Sequence, residues 1–297
     1  MLSILIPTYN YDCTKLANDL YRLSSTIDDK VEIIVVDDCS PNMEIVEALK
    51  RLDEISICRY IRLPENIGRS AIRNYLTRQA RGEWLLYLDS DGGIVRDDFL
   101  RRYWEVRNNA MVIEGSVMVP EKCPHPSQSL SYYYEKSVMP RYTADERNKQ
   151  PYACFKTFNF MARREVMLQI PFNEQFRRYG YEDILFGRHL QLHEVSILHI
   201  ENPLINMGIE PNDNFLNKVE EANGTLLEFY NELRLNSRII HCYERLKKWR
   251  MVSFIRCIFK GGQPFMRRNL LSAHPSMFLF SCYKLGNFCC LIKQRNK

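Results

Sequence analysis

The run Trp84–Leu88 is wholly apolar and ends abruptly in Asp89-Ser90-Asp91. Two carboxylates this close repel each other unless something neutralises them, and a buried strand does not end in acids without a partner. A divalent cation, a ribose hydroxyl or both would supply it. The spacing therefore points to a nucleoside-diphosphate site. Asp89 is expected toward the ribose and at the edge of a metal shell, Asp91 on a divalent cation bridging the two phosphates, and Ser90 between them. Such a cation offsets the charge that develops on a departing diphosphate.

Other residues of the same kind lie upstream. Val31–Val36 closes in Asp37-Asp38; either carboxylate could accept hydrogen bonds from a base edge or ribose, the other capping the turn that follows. Thr8 to Asn10 end the first apolar run, Ser3–Pro7, in a turn. Asn66 and Gly68 come after a weak strand, Gly68 permitting close approach of the backbone, and Arg73 offers a cation one helical turn further on. Downstream, Glu182-Asp183 opens a helical segment after Tyr179-Gly180-Tyr181. Capping alone accounts for an acidic pair there at about 0.3–1 kcal/mol. The chemical reading makes Asp183 the general base for an acceptor hydroxyl, with Glu182 ordering the base or the acceptor. His199, at the end of a late strand, is read either as a third metal ligand or phosphate contact, or as a structural residue. His189 and His193, four apart, lack a third ligand and are read as non-ligating.

These residues need elements to position them. Apolar runs alternate with helically spaced segments through the first 90 residues, which argues for crossover units: an α/β fold with a Rossmann-like, mostly parallel central sheet flanked by helices. In such sheets the ligand crevice lies beyond the carboxyl ends of the strands, where Thr8–Asn10, Asp37-Asp38 and Asp89–Asp91 would converge. Ser70 is expected to cap a helix running through Ala80, Met111–Val119 to form one strand, and Val195–Ile200 to be the final strand. The composition shifts near Ser237. A catalytic domain is thus expected over residues 1–236, with a nucleotide-binding half at 1–115 and an acceptor half at 116–236, followed by a helical module at 237–297.

That module is basic. From Ser237 onward thirteen Lys and Arg face a single acid, Glu244, so the module carries more positive charge than the +5 of the whole chain and the preceding body is net acidic. No apolar stretch reaches the roughly 20 residues needed to cross a bilayer. On a helix over Met277–Ile292, Phe278, Phe280, Leu285, Phe288 and Leu291 form a wide apolar face beside a polar stripe. With Arg250, Arg256, Lys260, Arg267 and Arg268 this suits peripheral contact with an anionic leaflet; a helix packed on the body with a solvated basic face is the other reading. Ten cysteines include no CxxC pair, and the chain opens straight into a strand with no charged-then-apolar leader. A reduced, cytoplasmic setting is expected, at the inner face of the plasma membrane, with no nucleic-acid partner.

Taken in order, SILIPTYN, EIIVVDDCS, ENIGRSAIRN, WLLYLDSD, GYEDILFGRHL and ILHIENP resemble family 2 glycosyltransferases of the GT-A fold, over roughly residues 1–210. The resemblance implies that Asp38, Asn66, Gly68 and Arg73 line the nucleotide pocket, that Asp89 and Asp91 bind ribose and Mg2+ or Mn2+, and that Asp183 is the base. Asn206 stands where such chains often carry a second histidine. An inverting transferase follows as the expected activity, moving a sugar from a nucleotide-sugar donor, UDP-linked for preference, to a hydroxyl of a saccharide or lipid-linked saccharide in cell-surface polysaccharide assembly. Two rivals differ in class. A sugar-1-phosphate nucleotidyltransferase would need a glycine-rich, basic phosphate loop after the first strand, where this chain has Pro7-Thr8-Tyr9-Asn10. An inactive sugar-nucleotide-binding module would not need Asp183.

Overall fold

Strands rich in Ile, Val and Leu, buried on both faces, set the architecture of this computed structural model, which describes residues 1–139, 143–176 and 178–295. The strands are β1 (Leu2–Thr8), β2 (Val31–Asp37), β3 (Cys58–Arg62), β4 (Trp84–Leu88), β5 (Gly92–Gly93), β6 (Val112–Glu114), β7 (Val117–Met118), β8 (Asn159–Arg163), β9 (Ile197–His199) and β10 (Leu204–Asn206). The helices between and after them are α1 (Thr14–Leu23), α2 (Met43–Lys50), α3 (Arg69–Gln79), α4 (Phe99–Val106), α5 (Ser129–Val138), α6 (Ala144–Asn148), α7 (Arg164–Gln169), α8 (Glu182–Leu192), α9 (Asn212–Glu228), α10 (Tyr230–Leu233), α11 (Arg238–Lys248), α12 (Val252–Leu270) and α13 (Met277–Arg295).

The chain divides into two units. The first comprises Met1–Val119, Arg141–Arg177 and Phe186–Gly208. Its main sheet has the order β3-β2-β1-β4-β8-β6-β9, and within it only β8 runs against its neighbours. The mostly parallel sheet is therefore as expected. Successive side chains of a strand point to opposite faces, and both faces are covered. Ile4, Ile6, Ile33 and Val35 pack with Leu16 and Leu20 of α1 and Phe99 and Tyr103 of α4. Leu5, Ile34, Val36 and Tyr87 pack with Ile72 and Leu76 of α3, Val166 of α7 and Phe186 of α8. Each fully buried aliphatic or aromatic side chain contributes about 1.5–3 kcal/mol.

Two expectations about this unit change. Met111–Val119 is broken into β6 and β7 by Ser116, whose φ of +82° cannot continue a strand. β9 is not the last strand either: β10 follows and joins β5 and β7 in a small second sheet. Asn159 holds this region together. Its side-chain NH2 donates to the carbonyls of Ser116 (3.0 Å) and Asn202 (2.8 Å), and its Oδ1 accepts from the Tyr103 hydroxyl at 2.7 Å.

The second unit comprises Pro120–Pro140, Arg178–Leu185 and Ile209–Lys297. The boundary expected near Ser237 is not where the chain divides, because α9 and the C-terminal helices share one core: Phe215, Leu216 and Val219 pack with Phe259, Leu270, Phe280 and Tyr283. All ten cysteines are unpaired.

Replacing Asn159 by Ala removes one donor each from the Ser116 and Asn202 carbonyls and one acceptor from the Tyr103 hydroxyl, which keeps the residue-159 carbonyl at 3.2 Å, and should lower unfolding free energy by about 1–3 kcal/mol. Urea unfolding measures it against Leu192→Ala, an exposed site expected to stay within about 0.5 kcal/mol.

Candidate active site

Parallel pairing brings the carboxyl ends of β1, β2 and β4 to one edge, with Thr8 opposite Asp37 and Leu5 opposite Tyr87. The order β2-β1-β4 places the change of winding direction between β1 and β4, the location where open α/β sheets bind ligands. Thr8 is buried and its hydroxyl donates to the Tyr11 carbonyl at 2.9 Å, closing the turn. Asn10 takes a left-handed φ of +53° and its N–H donates to Ser40 Oγ at 2.7 Å. Asn is among the few side chains that adopt this conformation readily.

Asp37 and Asp38 separate in role. Asp37 is fully buried; Ser40 N–H and hydroxyl donate to its Oδ1, the Tyr60 hydroxyl donates to Oδ2 at 3.0 Å, and Arg62 Nε lies 3.6 Å from Oδ2. Both oxygens are enclosed by the protein, so the nucleoside-anchor role is corrected for Asp37: it caps the turn. Asp38 accepts from the backbone N–H groups of Ile67 (2.8 Å) and Gly68 (3.0 Å). Burial pushes its carboxyl up from the ordinary range, while those two hydrogen bonds pull the other way.

Gly68 is the N-cap of α3 with φ +85°, a position that disfavours any side chain, and a Cβ there would meet open space. Ser70 is therefore not the cap; it lies inside the first turn, buried. A helix start leaves N–H groups without intrahelical partners, which suits phosphate, and Asn66 is exposed just before it.

Arg73 does not project into the crevice. Its side chain is 2% exposed and donates to Asp89 Oδ1 at 2.7 Å, with the guanidinium 5.7 Å from the Phe172 ring centre. The exposed Arg69 reaches Asp89 Oδ2 at 3.3 Å. The expectation that Arg73 contacts the nucleotide is thus corrected: it fixes Asp89, and Arg69 is the outward cation that sequence reading passed over. Clamped by two guanidinium groups, Asp89 is suited to hydroxyl recognition rather than to a metal.

Asp91 sits differently. Its carbonyl accepts from Met207 N–H at 2.9 Å, and a methyl group at Gly208 would overlap its carboxylate. The antiparallel pairing of Asn206 with Gly92 brings this loop alongside, and Asn206 Oδ1 accepts from Gly208 N–H at 2.9 Å. Burial first, and the charge of Asp91 second, raise the Tyr11 hydroxyl above its usual value. Ser90 is half-buried between the two acids. Tyr11 and Gly208 were not anticipated; for Gly208 the Asn-Met-Gly closing β10 was the sequence signal.

His199 is a correction. It is buried, its Nδ1 lies 2.7 Å from Glu114 Oε2 and its Nε2 2.9 Å from the Pro151 carbonyl, so neither nitrogen is directed at a cation. Arg147 Nε completes the buried cluster 3.4 Å from Glu114, a charge contact outside hydrogen-bond geometry. Among the described residues no three His, Cys, Asp or Glu side chains gather as a metal cage. Mg2+ and similar ions are commonly held by one or two carboxylates with substrate phosphates completing the shell, and Asp91 fits that arrangement.

Glu182 and Asp183 form the first turn of α8, within the second unit. The turn before them holds left-handed φ values at Gly180 (+100°) and Tyr181 (+68°), and a Cβ at Gly180 would lie 2.7 Å from Ala222 of α9. Thr225 of α9 donates its hydroxyl to the Tyr179 carbonyl at 3.0 Å. Asp183 Oδ1 accepts from Ile184 N–H at 2.8 Å.

The chain matches the profile of glycosyl transferase family 2 over residues 3–171. It belongs to that family. An uncharacterized glycosyltransferase of Haemophilus influenzae is 28% identical over 147 residues, 50% of this chain and 47% of that protein. The Staphylococcus aureus poly(ribitol-phosphate) beta-N-acetylglucosaminyltransferase TarS is 33% identical over 100 residues, 32% of this chain and 17% of that protein. The chain thus spans about half or less of the length of these curated relatives. TarS 1–349 solved with UDP-GlcNAc superposes with a TM-score of 0.52 at 18% identity, covering 99% of this chain and 91% of the other. A Pyrobaculum calidifontis mannosyltransferase solved with GDP-Man and Mn2+ gives 0.58 at 12%, covering 99% and 86%. These likenesses bear on architecture, which is the GT-A fold expected from the sequence.

Arg73→Met leaves Asp89 largely buried without its main partner and should cost about 3–5 kcal/mol in chemical unfolding. Arg69→Met removes an exposed partner and should cost less than about 1 kcal/mol.

Proposed function

We propose that this family member is an inverting glycosyltransferase that moves a hexosyl group from a UDP-sugar to a hydroxyl of a saccharide or lipid-linked saccharide, in cell-surface polysaccharide assembly. The observation that carries the reading is the stretch Ile67–Arg73, tied to Asp38 at one end and to Asp89 at the other, with an open helix N-terminus between them. That combination suits a nucleoside diphosphate: Asp38 and the exposed Asn66 toward the nucleoside, Asp89 toward ribose hydroxyls, and the N–H groups of α3 with Arg69 toward phosphate. The UDP preference draws support from TarS, and the polymer setting from its name.

Asp91 would hold Mg2+ or Mn2+ together with the diphosphate. The ion would supply charge neutralisation of the leaving group. Asp183 is assigned as the general base, with Glu182 ordering the hydroxyl it deprotonates; attack opposite the departing diphosphate requires one such carboxylate and inverts the anomeric centre.

Thermal unfolding with a panel of nucleotide sugars checks the donor. A UDP-sugar with Mn2+ at a hundredfold excess over its Kd should stabilise the protein by about 2.7 kcal/mol, and a chelator should abolish the effect. Stabilisation by GDP-sugars alone would overturn the UDP assignment, and none by any nucleotide sugar would overturn the donor site. Asp183→Asn should lower transfer at least about 100-fold with UDP affinity unchanged; transfer at the normal rate would remove Asp183 as base.

A further inference from the structure

In the second unit, positive charge and exposed apolar surface fall on the same helices. α12 packs inward through Phe259 and Leu270, eleven residues apart and buried. Phe254 and Phe265 are also eleven apart, and Ile258 lies one turn beyond Phe254. The five-residue offset between the two pairs rotates one away from the other by about 140°. The outward row is 59% exposed at Phe254, 50% at Ile258 and 68% at Phe265, and Gly261 continues it with open space around its Cα. Trp249, 66% exposed, stands at the turn between α11 and α12.

Scattered apolar residues on a surface need no explanation, but a row along one helix does. Its surroundings identify what would cover it. Lys247 and Lys248 end α11, Arg268 follows Phe265 by three residues on α12, and all three are exposed. The one acid in the C-terminal stretch, Glu244, accepts a hydrogen bond from the Tyr230 hydroxyl. A narrow apolar row with cations beside it and almost no anions matches a surface carrying negative headgroups above hydrocarbon. No described helix is long and apolar enough to span a membrane.

The apolar face expected over Met277–Ile292 does not serve this purpose. Phe280, Phe288 and Ile292 of α13 are buried in the unit, and Lys284 lies over the Phe280 and Tyr134 rings at 4.6 and 4.9 Å. Only Phe278 on that helix is strongly exposed among its aromatic residues.

We infer that α12 is an interfacial docking helix for an anionic lipid leaflet, with Phe254, Ile258 and Phe265 entering the headgroup boundary and Lys247, Lys248 and Arg268 engaging the headgroups. Binding is reversible and weakens with salt, since exposed charges are screened within about 10 Å at 0.1 M ionic strength.

Vesicle sedimentation with the full chain tests this. The protein should partition onto equimolar phosphatidylglycerol–phosphatidylcholine vesicles and not onto phosphatidylcholine alone. Phe254→Ser, Ile258→Ser and Phe265→Ser together should reduce that partitioning by about 100-fold or more. Lys248→Glu with Arg268→Glu should reduce it roughly tenfold or more. Both variants should keep the parent's thermal midpoint and its response to UDP with Mn2+, so that a failed donor site and a failed docking face are read separately. Equal binding by the triple-serine variant, or no binding to acidic vesicles at low salt, would overturn the inference. So would a parent protein that is dimeric in solution and becomes monomeric on the triple substitution, because the row would then be covered by a second copy.

Discussion

Two carboxylates hold one short stretch of chain. Asp38 takes the N–H groups of Ile67 and Gly68, and Asp89 takes the guanidinium of Arg73, so the entry into α3 is fixed at both ends by acids from the tips of different strands. A buried carboxylate left unmatched costs several kcal/mol, and here the match also positions an open helix terminus. The left-handed Gly68 is what lets the backbone turn from one acid toward the other. The surrounding sheet serves this arrangement by running β1, β2 and β4 in the same direction.

The acids at this edge carry different duties because their neighbours differ. Asp37 is satisfied entirely by the protein and braces the turn to Ser40. Asp89 is rigid between two arginines. Asp91 rests against a bare backbone at Gly208, where room exists only because no side chain fills it. Similar residue types in one locality thus sit in different settings: enclosed by the protein at Asp37, clamped by guanidinium groups at Asp89, and against backbone at Asp91.

Much of this was legible in the sequence. Buried strands announce themselves by continuous Ile, Val and Leu, so the parallel sheet, the gathering of three strand ends at one edge and the family were all within reach. What failed shares a cause: partners distant in sequence. His199 looked available until Glu114 and the Pro151 carbonyl were found to occupy its two nitrogens. Arg73 looked like a cation lining the nucleotide pocket until Asp89 claimed it. The pairing of Asn206 with Gly92 joins short segments more than a hundred residues apart, and neither has the periodicity of a strand. The boundary near Ser237 followed composition, whereas α9 packs with the helices after it regardless of charge.

The middle of α12 reads Gly261-Gly262-Gln263-Pro264. Proline gives up about 3 kcal/mol of helix propensity relative to alanine and each glycine about 1 kcal/mol, and crowding does not demand these glycines, since a Cβ at Gly261 meets nothing and one at Gly262 only the end of Met266 at 3.7 Å. The helix is therefore weak at its centre and anchored on either side, by Phe259 before this stretch and Leu270 after it. Bending of this one continuous helix would concentrate near Pro264, whose ring removes a backbone donor, and a helix that yields at its middle can follow a curved boundary that a stiff one of the same length would touch at a single point.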